Sequence, residues 1–465
     1  MAKAVTTGRG SLANRFAMWR ALRAPPASGF ASQPEPRSIG QFARGKQLVA
    51  GNFMFAGKVI EAPGVAIWDV ALAEYGQTDQ SHGFVWLDDL AAVGDAAARV
   101  RAQGWTWDWI ARFGAGKGPG WTPDLTGRRL IRWINHAPLL LTARDRMQSD
   151  AYFRSLSAQV VYLSRRWSHA APGLPRFEAL TGLIYAGLAL TGMENRIAPA
   201  VAALAQDCAH EIDAVGGIPT RNPEDLLEVF TLLTWAEQAL SEAGRIPPGA
   251  LVAALERIAP TLRALRHADG GLARFQGGGR GIEGRLDQAL AAAGVRPGPA
   301  TGAGLAMGFA RLGAGRTTVI VDAPKAPPDG RAGLWAHAST AAFEMTSGRR
   351  PLVVSCGSGV SFGAEWQRAG RATPSHSTLA VDGFSSSRLG AGDGPEAMTD
   401  RAFVSAVRQS AGPDGASFFI SHAGWSATHG LCHVRRLILS ADGRKLTGTD
   451  RLAAQSLAEI GRAHV

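Results

Sequence analysis

The hydrophobic period changes once along the chain, and that change decides the fold class. From Phe84 to Arg266 apolar residues recur at helical spacing in the segments Leu87–Phe113, Asp124–Thr142, Ala151–Trp167, Arg176–Thr191, Ile197–Val215, Pro223–Ala243 and Pro248–Arg266, each bounded by Gly or Pro signals. Short connections without intervening strand signals point to antiparallel helical hairpins, stacked or in a ring, rather than βαβ units. After the Gly-rich stretch Gly277–Gly281 and the segment Pro297–Gly304 the pattern becomes short and β-rich: Thr317–Asp322, Ala341–Thr346, Leu352–Cys356, Thr378–Asp382, Phe418–Ser421 and His433–Leu439. Helices first and strands second predict two domains, 47–300 helical and 305–465 an antiparallel sheet or sandwich, behind a basic arm at 1–46.

Composition narrows the function classes. The chain has 465 residues, 46% apolar and 19% charged, with 57 Gly and 25 Pro, as expected of a turn-rich globular protein. It holds no uninterrupted apolar stretch of about 18 residues that would span a bilayer as a helix. Cys208, Cys356 and Cys432 are odd in number and far apart, so they form no disulfide framework or CxxC pair and read as small buried side chains.

The net charge of +11 suggests nucleic acid until it is located along the chain. Lys3, Arg9, Arg15, Arg20, Arg23, Arg37, Arg44 and Lys46 face only Glu35 within 1–46, so +7 sits there and +4 is left for the rest. With no zinc-finger spacing, no RNP-like aromatic pattern and no phosphate loop, nucleic acid is not expected as a partner. The arm carries no export-signal pattern. Leu12–Leu22 fits a short basic amphipathic helix ended by Pro25 and Pro26; a flexible solvated arm is expected, with contact to a membrane surface as the alternative. At the other end, Ile460–Val465 can be encoded by a common sequencing-adapter sequence, and the chain is expected to be truncated, with an incomplete β-domain.

Several residues could carry chemistry. Trp105, Trp107 and Trp109 cluster with Trp121 and Trp133, and Trp105 and Trp109 share a helix face. Core packing outweighs a sugar-stacking platform there, although aromatic rings do line carbohydrate grooves. In Gly216–Pro223, Asn222 suits a helix N-cap, while Arg221 would be exposed beside free N–H groups suited to a carboxylate or sulfate. His267 reads equally as a cation at a helix C-terminus or as a base. His337 and His376 each precede a strand and could converge on one cleft. No GxSxG elbow or HExxH pair competes with them.

Five ordered segments carry a resemblance: Thr122–Leu141, Gly216–Val229, His267–Gly279, Ala336–Gly359 and Arg371–Gly390. Together they resemble heparinase II/III-like proteins of alphaproteobacteria, over most of 45–455. The resemblance implies an α/α toroid followed by a mostly antiparallel β-sandwich, with an acidic polysaccharide held in a cleft between them. Lyases of this kind cleave uronic-acid glycosides by β-elimination, which needs a group that neutralises the carboxylate, a base for the C5 proton and an acid for the leaving oxygen. The family draws these from an Asn or Asn-His, a Tyr and a His, and some members hold a structural zinc.

Carried over position by position, the pattern holds in part. His337 falls on the second His of the family's HxHxD stretch, with Trp335 at the first His and Ser339 at the Asp, and His376 falls on the His of an HNT-like stretch. Ser355 stands where an Asp is expected, so the zinc set lacks its carboxylate and no metal or other cofactor is expected. Gly173–Phe177 replaces the Asn-His, Thr220–Pro223 replaces the catalytic Tyr, and Tyr75, Tyr152, Tyr162 and Tyr185 lie elsewhere, on helices. His337, His376 and His267 are then the candidates to move protons, Arg221, Asn222 and Arg176 to meet a carboxylate, and Trp105 to stack on sugar. The resemblance implies a lyase-like protein of the cell envelope or periplasm acting on a uronate glycan; the alternative is a non-catalytic acidic-glycan-binding protein on the same scaffold.

Overall fold

The computed structural model describes residues 8–32, 35–55, 58–70, 78–296, 304–323, 331–390 and 397–454. Lys3, Tyr75, most of Pro297–Gly304 and the tail Ile460–Val465 lie outside them. The described residues form two compact units: one holds those up to His210 together with Thr231–Val252, the other holds Glu211–Phe230 together with those from Ala253 onward.

The first unit is helical, with one hairpin of β1 (Asn52–Phe55) and β2 (Lys58–Glu61). Two of its helices begin at side-chain caps. Asp95 accepts from Ala98 N–H, and Asp145 with Gln148 completes a capping box at Arg146–Arg166. The expected helix Leu87–Phe113 is two, Val85–Val93 and Ala96–Phe113, because Gly94 takes a left-handed φ of 68° and Asp95 restarts the helix. Asp124–Thr142 likewise divides into Pro123–Asn135 and Ala137–Leu141. The helix Pro123–Asn135 packs so closely on Leu174–Ala189 that a Cβ at Gly127 would lie 2.2 Å from Glu178 O.

Trp86, Trp105, Trp109, Trp121 and Trp133 form the aromatic core of this unit. Trp109 and Trp133 are fully buried, with ring centroids 5.6 Å apart and edge to face. Arg129, also fully buried, lies with its guanidinium 4.1 Å from the Trp109 ring centroid and donates to Gln159 Oε1, His82 O and Gly120 O. Burial pushes its pKa down to about 9.

The flexible-arm expectation is corrected over the described part of 1–46. Gly8–Leu22 is a helix whose Ala17, Met18 and Ala21 are buried as it packs on Arg146–Arg166. Further on, Ala27 N–H donates to Ser157 Oγ and Arg37 pairs with Glu242. Small apolar residues at helical spacing sufficed to dock what the basic residues suggested was solvated.

The second unit carries two four-stranded antiparallel sheets. One runs β3-β4-β5-β6, from β3 (Phe309–Ala314), β4 (Thr317–Asp322), β5 (Phe343–Ser347) and β6 (Arg350–Val353). After the small pair β7 (Arg388–Leu389) and β8 (Met398–Asp400), the other runs β12-β11-β10-β9, from β9 (Val404–Gly412), β10 (Gly415–Trp425), β11 (Leu431–Ser440) and β12 (Leu446–Ala454). Leu312, Val319 and Val321 of the first pack on Phe418, Ile420, Leu437 and Leu439 of the second, which makes a sandwich. β4 is buried on both faces, because Arg311 beside it donates to Ala264 O and Arg266 O at the end of helix Gly249–Ala264. The outer face of the β3–β6 sheet thereby becomes a buried polar layer.

Two sequence expectations fail here. Thr378–Asp382 forms no strand; it has only an isolated bridge between Val381 and Phe384. Cys356 is exposed, while Cys208 is buried and Cys432 intermediate.

Candidate functional site

In the polar layer the fully buried Asp322, at the end of β4, is met by three donors. Ser339 Oγ donates to Oδ2 at 2.5 Å, Gln276 Nε2 to the same oxygen at 2.7 Å, and Arg221 Nη2 to Oδ1 at 3.2 Å. Burial pushes the Asp322 carboxyl above its ordinary value, and Arg221, Ser339 and Gln276 oppose that. Arg221 itself takes a left-handed φ of 53°, donates to Met307 O and lies over the Phe309 ring; burial lowers its pKa, with Asp322 opposing. The expectation of an exposed Arg221 is thus corrected: its charge is spent on Asp322.

His267 belongs to the same layer. Its Nε2 lies 2.9 Å from Glu344 Oε2 and its Nδ1 3.4 Å from Thr346 Oγ1. Glu344 also accepts from the backbone N–H groups of Arg274 and Ser355. Both imidazole nitrogens are therefore engaged in tying the loop after helix Gly249–Ala264 to β5.

The structure does bring His337 and His376 together, with ring centroids 4.9 Å apart. Both are buried. Gly277 N–H donates to His337 Nε2 at 3.0 Å, while among the described residues His337 Nδ1 makes no hydrogen bond and His376 has only a loose approach to the Gly370 backbone. Burial pushes His376 down to about 4, which the Gly370 backbone offsets only in part. Burial also drives His337 well below its usual value, with His376 and Arg371 adding to the effect. Both imidazoles are neutral at pH 7.

Above them lies a small exposed face. Trp335 is 44% exposed. Gly277, at φ 97°, sits so close to it that a Cβ there would lie 3.0 Å from Trp335 Cβ and 3.2 Å from Asn222 Nδ2. Asn222 caps helix Pro223–Glu242, its Oδ1 accepting from Glu224 N–H at 2.9 Å. Glu224 in turn accepts from Gly279 N–H, which fixes the glycine loop against that helix start. Exposed Arg280 follows in the loop. Sequence reasoning missed Trp335 as a contact residue, along with Asp322 and Gln276; the only signal for Trp335 was a bulky aromatic two residues before a candidate His.

The remaining candidates lie in the first unit. Trp105 is 4% exposed and packs on Phe53 and Trp86, so the substrate-stacking assignment is corrected to a core ring. Arg176 donates to Asp207 and to Ala170 O, and so is engaged locally. Tyr152 and Tyr162 lie on Arg146–Arg166 and donate to Trp133 O and Trp121 O, and Tyr185 is fully buried on Leu174–Ala189. Among the described residues no three His, Cys, Asp or Glu side chains are grouped for a metal ion. With Trp335 and Ser339 two residues either side of His337 and Ser355 after β6, these residues do not fit a zinc site.

Comparison with known proteins agrees with this architecture. The profile of the heparinase II/III-like C-terminal domain matches residues 296–461. The chain is 30% identical over 450 residues to FtsZ-localized protein C of Caulobacter vibrioides, covering 93% of this chain and 75% of that one. A crystal structure of heparinase III is similar with a TM-score of 0.63 at 12% identity, covering 97% of this chain and 76% of that one. A heparan sulfate lyase mutant from Pedobacter heparinus is similar with a TM-score of 0.53 at 15% identity over the same shares. The fold is an α/α toroid of helical hairpins followed by a mostly antiparallel β-sandwich.

Proposed function

The chain belongs to the heparinase II/III-like family, and from that premise we propose that it binds a uronic-acid-containing acidic polysaccharide, without cleaving it, at the face of Trp335, Asn222 and the Gly277 loop. The observation that carries this reading is the exposed Trp335 ring, held beside a capped helix start and the glycine loop. An indole face takes the CH side of a sugar, and behind it the largely buried Asn222 keeps its Nδ2 for a ligand group that reaches past the ring. The cation best placed for charge neutralisation in β-elimination, Arg221, is already committed to Asp322.

The adjacent His337 and His376 rings, whose nitrogens are little used by the rest of the described residues, favour a second reading, β-elimination with these two imidazoles moving protons. A panel of heparan-type, alginate and hyaluronan chains separates the two. Retardation in gels without a rise in the ultraviolet absorbance of a new conjugated double bond supports binding. A rise on any of them establishes cleavage, and His337→Ala or His376→Ala should then cost roughly 10²–10⁴ in turnover.

The cell envelope or periplasm is the setting this ligand class favours. The name of the Caulobacter relative favours a setting with FtsZ instead. No helix among the described residues is long and apolar enough to cross a membrane. Imaging a fluorescent fusion decides between the settings.

A further inference from the structure

Far from Trp335, the turn end of the sandwich holds a cavity of about 680 Å³ lined by Arg316, Thr317, Ser347, Asp442, Gly443 and Arg444, with apolar side chains behind them. Three turns, β3–β4, β5–β6 and β11–β12, form this end and are fastened to one another. Gly348 N–H donates to Arg316 O at 2.7 Å, and Thr317 Oγ1 donates to Gly443 O at 2.7 Å. A Cβ at Gly443 would lie 2.0 Å from Ala314 O, so the turns touch backbone to backbone.

The charge at this end is one-sided. Arg316 and Arg444 line the cavity, and Arg349, Arg350 and Lys445 are exposed in or next to the same turns. Among the described residues none of the five makes an ion pair within 4.0 Å, although Arg444 also acts electrostatically on Asp442. The one lining carboxylate, Asp442, has its Oδ1 taken by Ser440 Oγ and Arg444 N–H. Thr317 and Asp322 are the two ends of β4, and at roughly 3.3 Å per residue this cavity lies about 17 Å along the strand from the buried Asp322 cluster.

We propose that this cavity is a second anion site, an exosite that takes the sulfate or carboxylate groups of an acidic polysaccharide; the class of ligand rests on the preceding subsection. Guanidinium groups on rigid turns present planar donors that match oxyanions two at a time, and a concave site lined by one sign of charge concentrates its field. Turns held by hydrogen bonds need little reorganisation when the anion arrives.

Binding of a fluorescein-labelled heparin oligosaccharide to the full chain, followed by anisotropy at two salt concentrations, tests it. Arg316→Glu with Arg444→Glu should weaken binding at least about tenfold and flatten the salt dependence, whereas Arg316→Lys with Arg444→Lys should keep the salt dependence and lose only the part of the affinity that the planar guanidinium fork supplies. Both positions of change are on the surface, and Arg316→Gln with Arg444→Gln serves if charge reversal perturbs folding. Unchanged affinity in the reversed variant overturns the proposal, as does failure of the unaltered chain to bind. An equal loss from reversing exposed Arg154 and Arg165, on a helix of the other unit, also overturns it, because the attraction would then be general. Repeating the titration with alginate assigns the group: loss on heparin alone points to sulfate, loss on both to carboxylate. Trp335→Ala keeps the two readings apart. If only Trp335→Ala weakens binding, the exosite fails and the Trp335 face stands; if only the arginine variant does, the reverse holds.

Discussion

Arg221 reaches Asp322 across 101 residues of sequence and donates to its carboxylate at 3.2 Å, with Asp322 fully buried and Arg221 largely so. The pair fastens the loop before helix Pro223–Glu242 to the end of β4, and it does so from a backbone conformation that a non-glycine residue seldom adopts. Breaking a buried pair from one side leaves an uncompensated charge, so Arg221→Met and Asp322→Leu should each destabilise by about 3–5 kcal/mol. The double variant should cost clearly less than the sum. Urea unfolding of the four proteins measures the coupling; additive losses would mean that the two side chains do not depend on one another.

The buried imidazoles tie stability to pH. His376 falls from the ordinary 6.5 in the unfolded chain to about 4 in the folded one. Between those values the unfolded state binds the extra proton, so the contribution is fully present above about pH 6.5 and is lost as pH falls towards 4. At about 1.4 kcal/mol per pKa unit, the total is on the order of 3 kcal/mol for His376, and the lowered His337 adds to it in the same direction. Urea midpoints at pH 7 and pH 5 should show the loss. His376→Phe should flatten the dependence, and an equally steep slope in that variant would place the titrating group elsewhere.

How legible was this in the sequence? Helices such as Pro223–Glu242 and Gly249–Ala264 fall within a residue or two of the reading from periodicity, because each buries one face and starts at Pro or a cap. β4 was legible as a short apolar run and β11 by its alternating burial. β9 was not, since an edge strand with few buried positions has almost no hydrophobic period to read. Thr378–Asp382 reads as β, yet Thr378 is held by Thr340 O and no neighbouring strand takes up its ladder. In the site, His337 and His376 do lie side by side, but the strand expected to follow His376 does not form and both rings are buried rather than set in an open cleft. Arg221 was misjudged because polarity predicts exposure unless a partner is known, and the partner lies in a different structural element.

Asn222 has two duties that substitution can separate. Asn222→Ala removes the acceptor for Glu224 N–H and should cost about 1 kcal/mol, while Asn222→Asp keeps the cap and should leave the urea midpoint nearly unchanged. In binding, both should weaken association with acidic chains, and Asp more than Ala, because it adds a negative charge beside the ligand. If Asp binds as well as the unaltered residue, Asn222 is a cap alone.

Gly277 offers the sharpest test of the Trp335 face. At φ 97° an L-residue is strained whatever the space around it, and here an added methyl would also press on Trp335 Cβ at 3.0 Å and on Asn222 Nδ2 at 3.2 Å. Gly277→Ala should therefore destabilise by about 1–3 kcal/mol. It should also weaken the hydrogen bond from Gly277 N–H to His337, so the indole and the imidazole move together. The proposed binding makes a further demand: the affinity lost in Gly277→Ala should be no greater in Trp335→Ala/Gly277→Ala than in Trp335→Ala alone, since the glycine acts through the ring it supports. Additive losses in that cycle would mean that polysaccharide touches the loop backbone directly, and an unaltered affinity in Gly277→Ala would remove this face from the binding surface.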